Sequence, residues 1–398
     1  GSSNVALPEA PLLAVLPGTG GLTRVTDKRR VRRDRADVFS TMEEGARGKR
    51  AKDWGLVDEV VPNTKFDEAV ATRAAEIAAQ SARPSDVSGI SLSPLDRTIT
   101  DDAVTYSSVE VQLDRDAGTA TLTISGPDLP APDIAALQSE GADNWTLRTA
   151  RELDDALLHL RFNEQEIGVL VFRTQGDPEA VCAHEQVLLE NADNWLAREI
   201  LAYWKRVLKR IDVTSRSLVA LIEPGSCFSG LLAEITFACD RSYMAEGEFD
   251  GDNRPPATLT LSEANFGPMP MGNGLTRLQT RFLDNDDAVR AAEDAMGSAL
   301  EADDADDLGL VTFAYDDIDW EDEIRIFLEE RASFSPDALT GMEANLRFAG
   351  PETMETRIFG RLTAWQNWIF QRPNAVGEDG ALRRYGTGKR GDYDMTRV

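Results

Sequence analysis

Leu7-Pro8-Glu9-Ala10, Gly21-Leu22-Thr23-Arg24 and Ala51-x-x-x-Gly55-Leu56-Val57 stand in that order near the start of this 398-residue chain. All three recur, again in order, as Leu261-Ser262-Glu263-Ala264, Gly274-Leu275-Thr276-Arg277 and Ala305-x-x-x-Gly309-Leu310-Val311. The interval between copies is constant to within one residue, and a Pro/Gly-rich turn precedes both Gly21 and Gly274. Three colinear matches at one interval mark an internal repeat, so the chain holds two copies of one core. The first copy is short, and its first half is expected upstream of Gly1, making the chain an N-terminally truncated fragment.

The second copy reads as a complete α/β unit. Val109, Val111 and Leu113 alternate with polar residues, as do Ala120, Leu122 and Ile124 beyond Asp116-Ala117-Gly118. That is a hairpin with period-two patterning. A helix around residues 152–162 leads to a buried-type strand at 167–172, and one long helix over 185–210 leads to a strand at 218–222. An apolar helix over 231–239 follows Glu223-Pro224-Gly225. Strand and helix alternating in this way predict parallel pairing through crossovers. The expected organisation is 1–80 as the later half of the first core, 81–100 as a Pro- and Ser-rich linker, 101–325 as the second core and 326–398 as a helical region. Within the last, Ser335-Pro336 opens one helix that stops before Gly350-Pro351, and a second spans 352–371.

Composition narrows the chemistry. A formal charge of -27 repels a polyanion and argues against nucleic acid. The longest apolar runs are strand-length, too short to span a bilayer, so no membrane partner is expected. Cys182, Cys227 and Cys239 are odd in number and unpaired in spacing, which fits a reducing cytoplasm. With no Cys-x-x-Cys and only His159 and His184, no metal site is expected. Cys182 and His184, at i and i+2, do not face each other on a helix.

Leu7-Pro8-Glu9, Pro17-Gly18-Thr19-Gly20-Gly21 and Gly55-Leu56-Val57, with Gly230 through Glu234 ahead of Cys239-Asp240, resemble the crotonase (enoyl-CoA hydratase/isomerase) superfamily. The resemblance implies tandem spiral cores of β-β-α units, the first incomplete, with C-terminal helices that cover an acyl-CoA site and support a homo-oligomer. In such a core two backbone N–H groups take up charge developing on a thioester oxygen, and a nearby glutamate moves a proton or activates water. By analogy Glu9 is the catalytic carboxylate, and Gly18, Gly20 and Gly21 form the turn on the substrate side. Glu234 and Glu263 are secondary candidates. The second copy departs from the pattern: Leu231 stands at a donor glycine and Ser262 replaces the proline, so it is expected to be degenerate and structural.

Less generic segments sharpen the resemblance. Val25 to Asp37, Ala220 to Phe228 and Phe370 to Gly377 are similar to a ring-opening branch of the superfamily. That likeness implies a cofactor-free lyase in which 2,3-epoxybenzoyl-CoA takes up water and opens to 3,4-dehydroadipyl-CoA semialdehyde with loss of formate. It also implies that this fragment by itself has no ring-cleaving activity, because the first core's oxyanion donors are expected upstream. The alternatives are an enoyl-CoA hydratase/isomerase acting on another acyl-CoA, and a non-catalytic acyl-CoA-binding scaffold. The basic run Lys28 to Arg35 reads either as a patch for CoA phosphates or as a face paired with acidic neighbours, and the second reading is preferred. Gly386-Thr387-Gly388-Lys389 lacks the first glycine of a phosphate loop.

Overall fold

A computed structural model describes residues 3–83 and 88–397. It separates into two compact units, Gly1–Asp86 and Val87–Val398. In the first, β1 (Asn4–Val5) pairs antiparallel with β2 (Ala46–Arg47), Val5 opposite Ala46. A helical turn covers Glu9–Leu13, the Gly-rich turn opens a helix at Gly21, and further helices cover Arg33–Thr41, Gly48–Asp53 and Phe66–Ala78. Among the described residues its buried apolar cluster is Phe39, Ala46 and Ala51, with Val31 and Ala36 buried beside it in the chain.

The second unit is built on an eight-stranded sheet. β3 (Thr98–Ile99), β4 (Ala103–Thr105), β5 (Val109–Asp114) and β6 (Thr119–Ser125) form an antiparallel meander. β7 (Val169–Gln175), β8 (Ser217–Ile222) and β9 (Arg241–Ala245) continue it in parallel from β6. The short antiparallel pair β10 (Leu259–Thr260) and β11 (Ala299–Leu300) stands apart, and β12 (Phe313–Tyr315) ends the main sheet parallel to β9. β5 buries alternate residues, as its patterning predicts, whereas every residue of β8 is buried, as a central parallel strand requires.

The repeat is visible in the backbone. Val5 opposite Ala46 in the first unit has its counterpart in Leu259 opposite Leu300 in the second. Gly55 and Gly309 both take left-handed φ, at 77° and 68°. Leu56 N–H donates to Ala51 at 2.9 Å, and Leu310 N–H donates to Ala305 at 2.8 Å. Arginine Nε groups seal both turns, Arg29 on the Gly55 carbonyl at 2.8 Å and Arg281 on that of Gly309 at 2.6 Å.

Four expectations need correction. The long helix is two, Pro178–Glu190 and Trp195–Asp212. The break falls at Asn194, whose side chain caps the second helix by accepting from Leu196 N–H at 2.9 Å. Ala192-Asp193-Asn194-Trp195 repeats the tetrapeptide Ala142-Asp143-Asn144-Trp145, which starts the helix Trp145–Asn163 with the same Asn cap. Gly55-Leu56-Val57 and its repeat, for which the family resemblance implies a strand, are turns, and in the second unit the strand starts only at Phe313. The expected linker is shorter than 81–100: residues 84–87 lie outside the described residues, but Ile90 and Leu95 already pack on the second core and β3 starts at Thr98. A boundary at 325/326 would cut the helix Trp320–Ala332, whose Trp320, Ile324 and Phe327 belong to the same core as β7 and β8. After the helix Pro336–Leu346, the last long helical segment runs from Met354 through a π-helical turn at Ile358–Leu362 to Ile369.

Candidate active site

In the second unit the chain leaves β8 through Glu223-Pro224-Gly225 and turns at Gly230 into the helix Ala233–Ala238. Leu231 N–H is the backbone donor that the family pattern places against a thioester oxygen. Here it donates to Glu185 Oε2 at 2.5 Å. The other oxygen of Glu185 accepts the Ser262 hydroxyl at 2.5 Å. Gly230 has φ 49°, and a Cβ there would collide with Oε2, so the glycine is required by both conformation and space. Burial pushes the Glu185 carboxyl up from 4.5 to about 7, with the two hydrogen bonds opposing it. The two departures from the family pattern thus meet on one carboxylate: Leu231 presents its amide to it and Ser262 its hydroxyl.

Glu234, the family's helix glutamate, is locked in an ionic triad. Arg277 Nη1 reaches Glu234 Oε2 at 2.6 Å, while its Nε and Nη2 clasp both oxygens of Asp212 at 3.0 and 2.8 Å. Asn265 donates to the remaining Glu234 oxygen at 2.8 Å. All three charged side chains are about 1% exposed. Burial pushes both carboxyls up, and the guanidinium between them opposes the shift. A fully buried carboxylate with both oxygens engaged by fixed donors is poorly placed to exchange a proton with substrate. Glu263 differs: it is exposed, at the first position of a short 3-10 turn capped by Ser262.

In the first unit Glu9 opens the turn Glu9–Leu13 and is half-buried; its Oε2 is shielded from solvent with no hydrogen-bond partner. The Gly-rich turn closes on itself. Gly20 and Gly21 N–H groups donate to the Pro17 carbonyl at 3.1 and 3.2 Å, Gly18 donates to Leu16 at 2.7 Å, and Gly20 takes φ 99°. A Cβ on Gly21 would stand 3.3 Å from the Leu7 side chain, so the turn packs on the strand end that carries Pro8-Glu9. Nearby arginines of the basic run are paired: Arg29 with Asp58 at 3.0 Å and Arg32 with both oxygens of Asp34.

Sequence reading missed Glu185, Asp212 and Arg277. Glu185 had a signal, since Val181, Glu185 and Leu188 share one buried helix face, where a lone carboxylate needs partners. Arg277 was visible as the last letter of Gly-Leu-Thr-Arg, without its role. His184 rests on the Leu129 carbonyl at 2.9 Å and edge-on to Trp145, apart from any thiolate pairing. Among the described residues no cluster of His, Cys, Asp or Glu is arranged to hold a metal ion.

No protein-family model matches the chain. The fold is that of solved crotonase-type structures: an enoyl-CoA hydratase from Geobacillus kaustophilus is 14% identical with a TM-score of 0.53, covering 74% of this chain and 98% of that one. Pseudomonas aeruginosa DspI is 16% identical with a TM-score of 0.52, over 74% and 98%. A much nearer relative in sequence is benzoyl-CoA-dihydrodiol lyase of Aromatoleum evansii, 52% identical over 398 residues, which is 100% of this chain and 71% of that protein. Identity of that order along the whole chain places this protein in the benzoyl-CoA-dihydrodiol lyase family, on the crotonase fold.

Proposed function

We propose that this protein is a carbon–carbon lyase acting on a ring-oxidised benzoyl-CoA thioester. The observation that carries the reading is the 52% identity to the Aromatoleum lyase across every residue of the chain. The substrate is 2,3-epoxybenzoyl-CoA, and atom balance for release of formate and 3,4-dehydroadipyl-CoA semialdehyde requires two waters. One opens the epoxide and the other completes cleavage of the ring carbon that leaves as formate.

The first core is assigned the chemistry. Its Glu9 carboxylate has an unpartnered oxygen, which suits it to activate water or shuttle a proton. The second core is assigned a structural role, because its donor is taken by Glu185 and its glutamate by Arg277. No cofactor is invoked, since the ring opening is hydrolytic overall. We place the protein in the cytoplasm as a homo-oligomer. Three free cysteines support the compartment, and exposed Leu346, Met354 and Phe359 on the C-terminal helices support the assembly. No helix among the described residues is long and apolar enough to cross a membrane.

The test is formate release from 2,3-epoxybenzoyl-CoA in a protein carrying the complete first core, with hydration of crotonyl-CoA as counter-assay. Formate with little crotonyl-CoA turnover is the expected result. Rapid hydration without formate would make the protein an ordinary enoyl-CoA hydratase.

A further inference from the structure

Beneath the C-terminal helices lies a cavity of about 790 Å³, walled in part by Arg161, Ser215, Arg361, Trp365, Trp368 and Arg397. It sits where the chain enters β8 at Ser217, whereas Glu223 to Gly225 leave the opposite end of that strand. The cavity is therefore distinct from the Leu231 donor.

Its charge runs against that of the molecule. In a chain of net charge -27, Arg161 and Arg397 crowd Arg216, and Arg397 Nη1 pairs with Glu343 at 3.2 Å. Glu343 is already engaged by Arg331 at 2.8 Å and by the Ser217 hydroxyl. Arg216, 2% exposed, donates to the carbonyls of Ser215, Glu164 and Arg397 and to the Ser215 hydroxyl. Burial and the neighbouring Arg397 and Arg161 lower it to about 10. Arg397, itself 4% exposed and on the cavity wall, keeps a buried Nε with no partner, and so does Arg361. The acidic wall residues are engaged: Asp212 by Arg277 and Asp337 Oδ1 by Arg372 at 3.2 Å. The second oxygen of Asp337 is buried and unpartnered, which leaves one acceptor for a ligand donor. Buried N–H groups without partners are uncommon and call for an acceptor. Trp365 and Trp368, ring centres 5.6 Å apart, add flat apolar surface.

We infer that this cavity binds a planar aromatic anion, its ring against Trp365 and Trp368 and its negative group toward Arg161, Arg361 and Arg397. Guanidinium groups hold carboxylate or phosphate by paired, charge-assisted hydrogen bonds, and a cavity of this size takes a small organic ligand. An aromatic carboxylate and an adenine nucleotide share that chemistry, and the titration separates them.

The 398-residue chain is titrated calorimetrically with benzoate, ADP, inorganic phosphate and, as an uncharged control, benzyl alcohol. One or both ring-bearing anions bind and benzyl alcohol does not; benzoate alone identifies a carboxylate ligand, ADP alone a nucleotide. Arg361→Ala, at a side chain 24% exposed, weakens binding about ten-fold or more, and Trp368→Ala weakens it as well. Circular dichroism confirms that both variants are folded. Only binding that Arg361→Ala weakens belongs to this cavity. The inference fails if neither ring-bearing anion binds at about 10 mM. It also fails if binding is undiminished in Arg361→Ala, or if phosphate binds as tightly as the ring-bearing anions.

Discussion

The Leu231 amide and the Glu185 carboxylate, 2.5 Å apart, form a closed pair at the one place where the second core would receive a thioester oxygen. A carboxylate oxygen resembles the oxyanion that such a donor stabilises. The donor is thus satisfied from within, and an acyl group entering there would have to displace a buried side chain that also holds Ser262.

The pH dependence of stability reports this pair. The Glu185 pKa is raised from 4.5 in the unfolded reference to about 7 in the native state. Between those values the native state holds a proton that the unfolded chain has released. The contribution is fully present below about pH 4.5 and is lost as pH rises through about 7. Glu185→Gln removes that slope. Urea unfolding across this range should show the wild type losing about 3 kcal/mol relative to the variant. Parallel curves for the two proteins would refute the assignment.

Gly230→Ala tests the space beside the same carboxylate. The left-handed φ costs alanine about 1 kcal/mol, and the added methyl must push Glu185 aside. The substitution should destabilise by about 2–4 kcal/mol in the wild type. In a Glu185→Ala background the penalty should shrink by about 1 kcal/mol or more. A double-mutant cycle with no coupling energy would show that the contact is not felt.

Arg277 separates structure from catalysis in the second core. Arg277→Leu leaves Glu234 and Asp212 buried together without a cation, and thermal unfolding should report a loss of about 3–5 kcal/mol. Glu234→Gln keeps the shape and should cost less, while formate release stays within a few-fold. Loss of turnover in a stably folded Glu234→Gln protein would move the chemistry into this core.

Glu9→Gln makes the opposite comparison in a protein carrying the complete first core. The amide keeps the shape but cannot accept a proton, so turnover should fall about 100- to 10,000-fold with acyl-CoA binding preserved. A few-fold change would remove Glu9 from the mechanism.

The repeat and the run β5 to β8 were legible because glycine turns and alternating apolar residues are local signals, as at Gly55 and Gly309 or along β5, whereas the short strands β3, β4 and β9 to β12 were not read. The split between Pro178–Glu190 and Trp195–Asp212 was legible in principle, since the Asn194 cap repeats the tetrapeptide before Trp145. The Glu185 contacts were not. They join residues 46 and 77 positions apart in the chain, and no spacing rule brings a helix carboxylate, a turn amide and a hydroxyl to one point. Ser262 read as a lost proline, whereas in the fold it is a gained donor.

The small core of the first unit has its own consequence. Its buried apolar cluster is Phe39, Ala46 and Ala51, whereas the second unit encloses a continuous cluster that includes Trp204, Phe172 and Leu122. Amide exchange should therefore be heterogeneous: Gly48–Asp53 opens by local fluctuation, and β6 to β8 open only with global unfolding. Mild chaotrope then displaces Glu9 while the sheet's circular dichroism is unchanged. Activity should be lost at lower denaturant than secondary structure, so a circular-dichroism melt overstates the range over which the enzyme works.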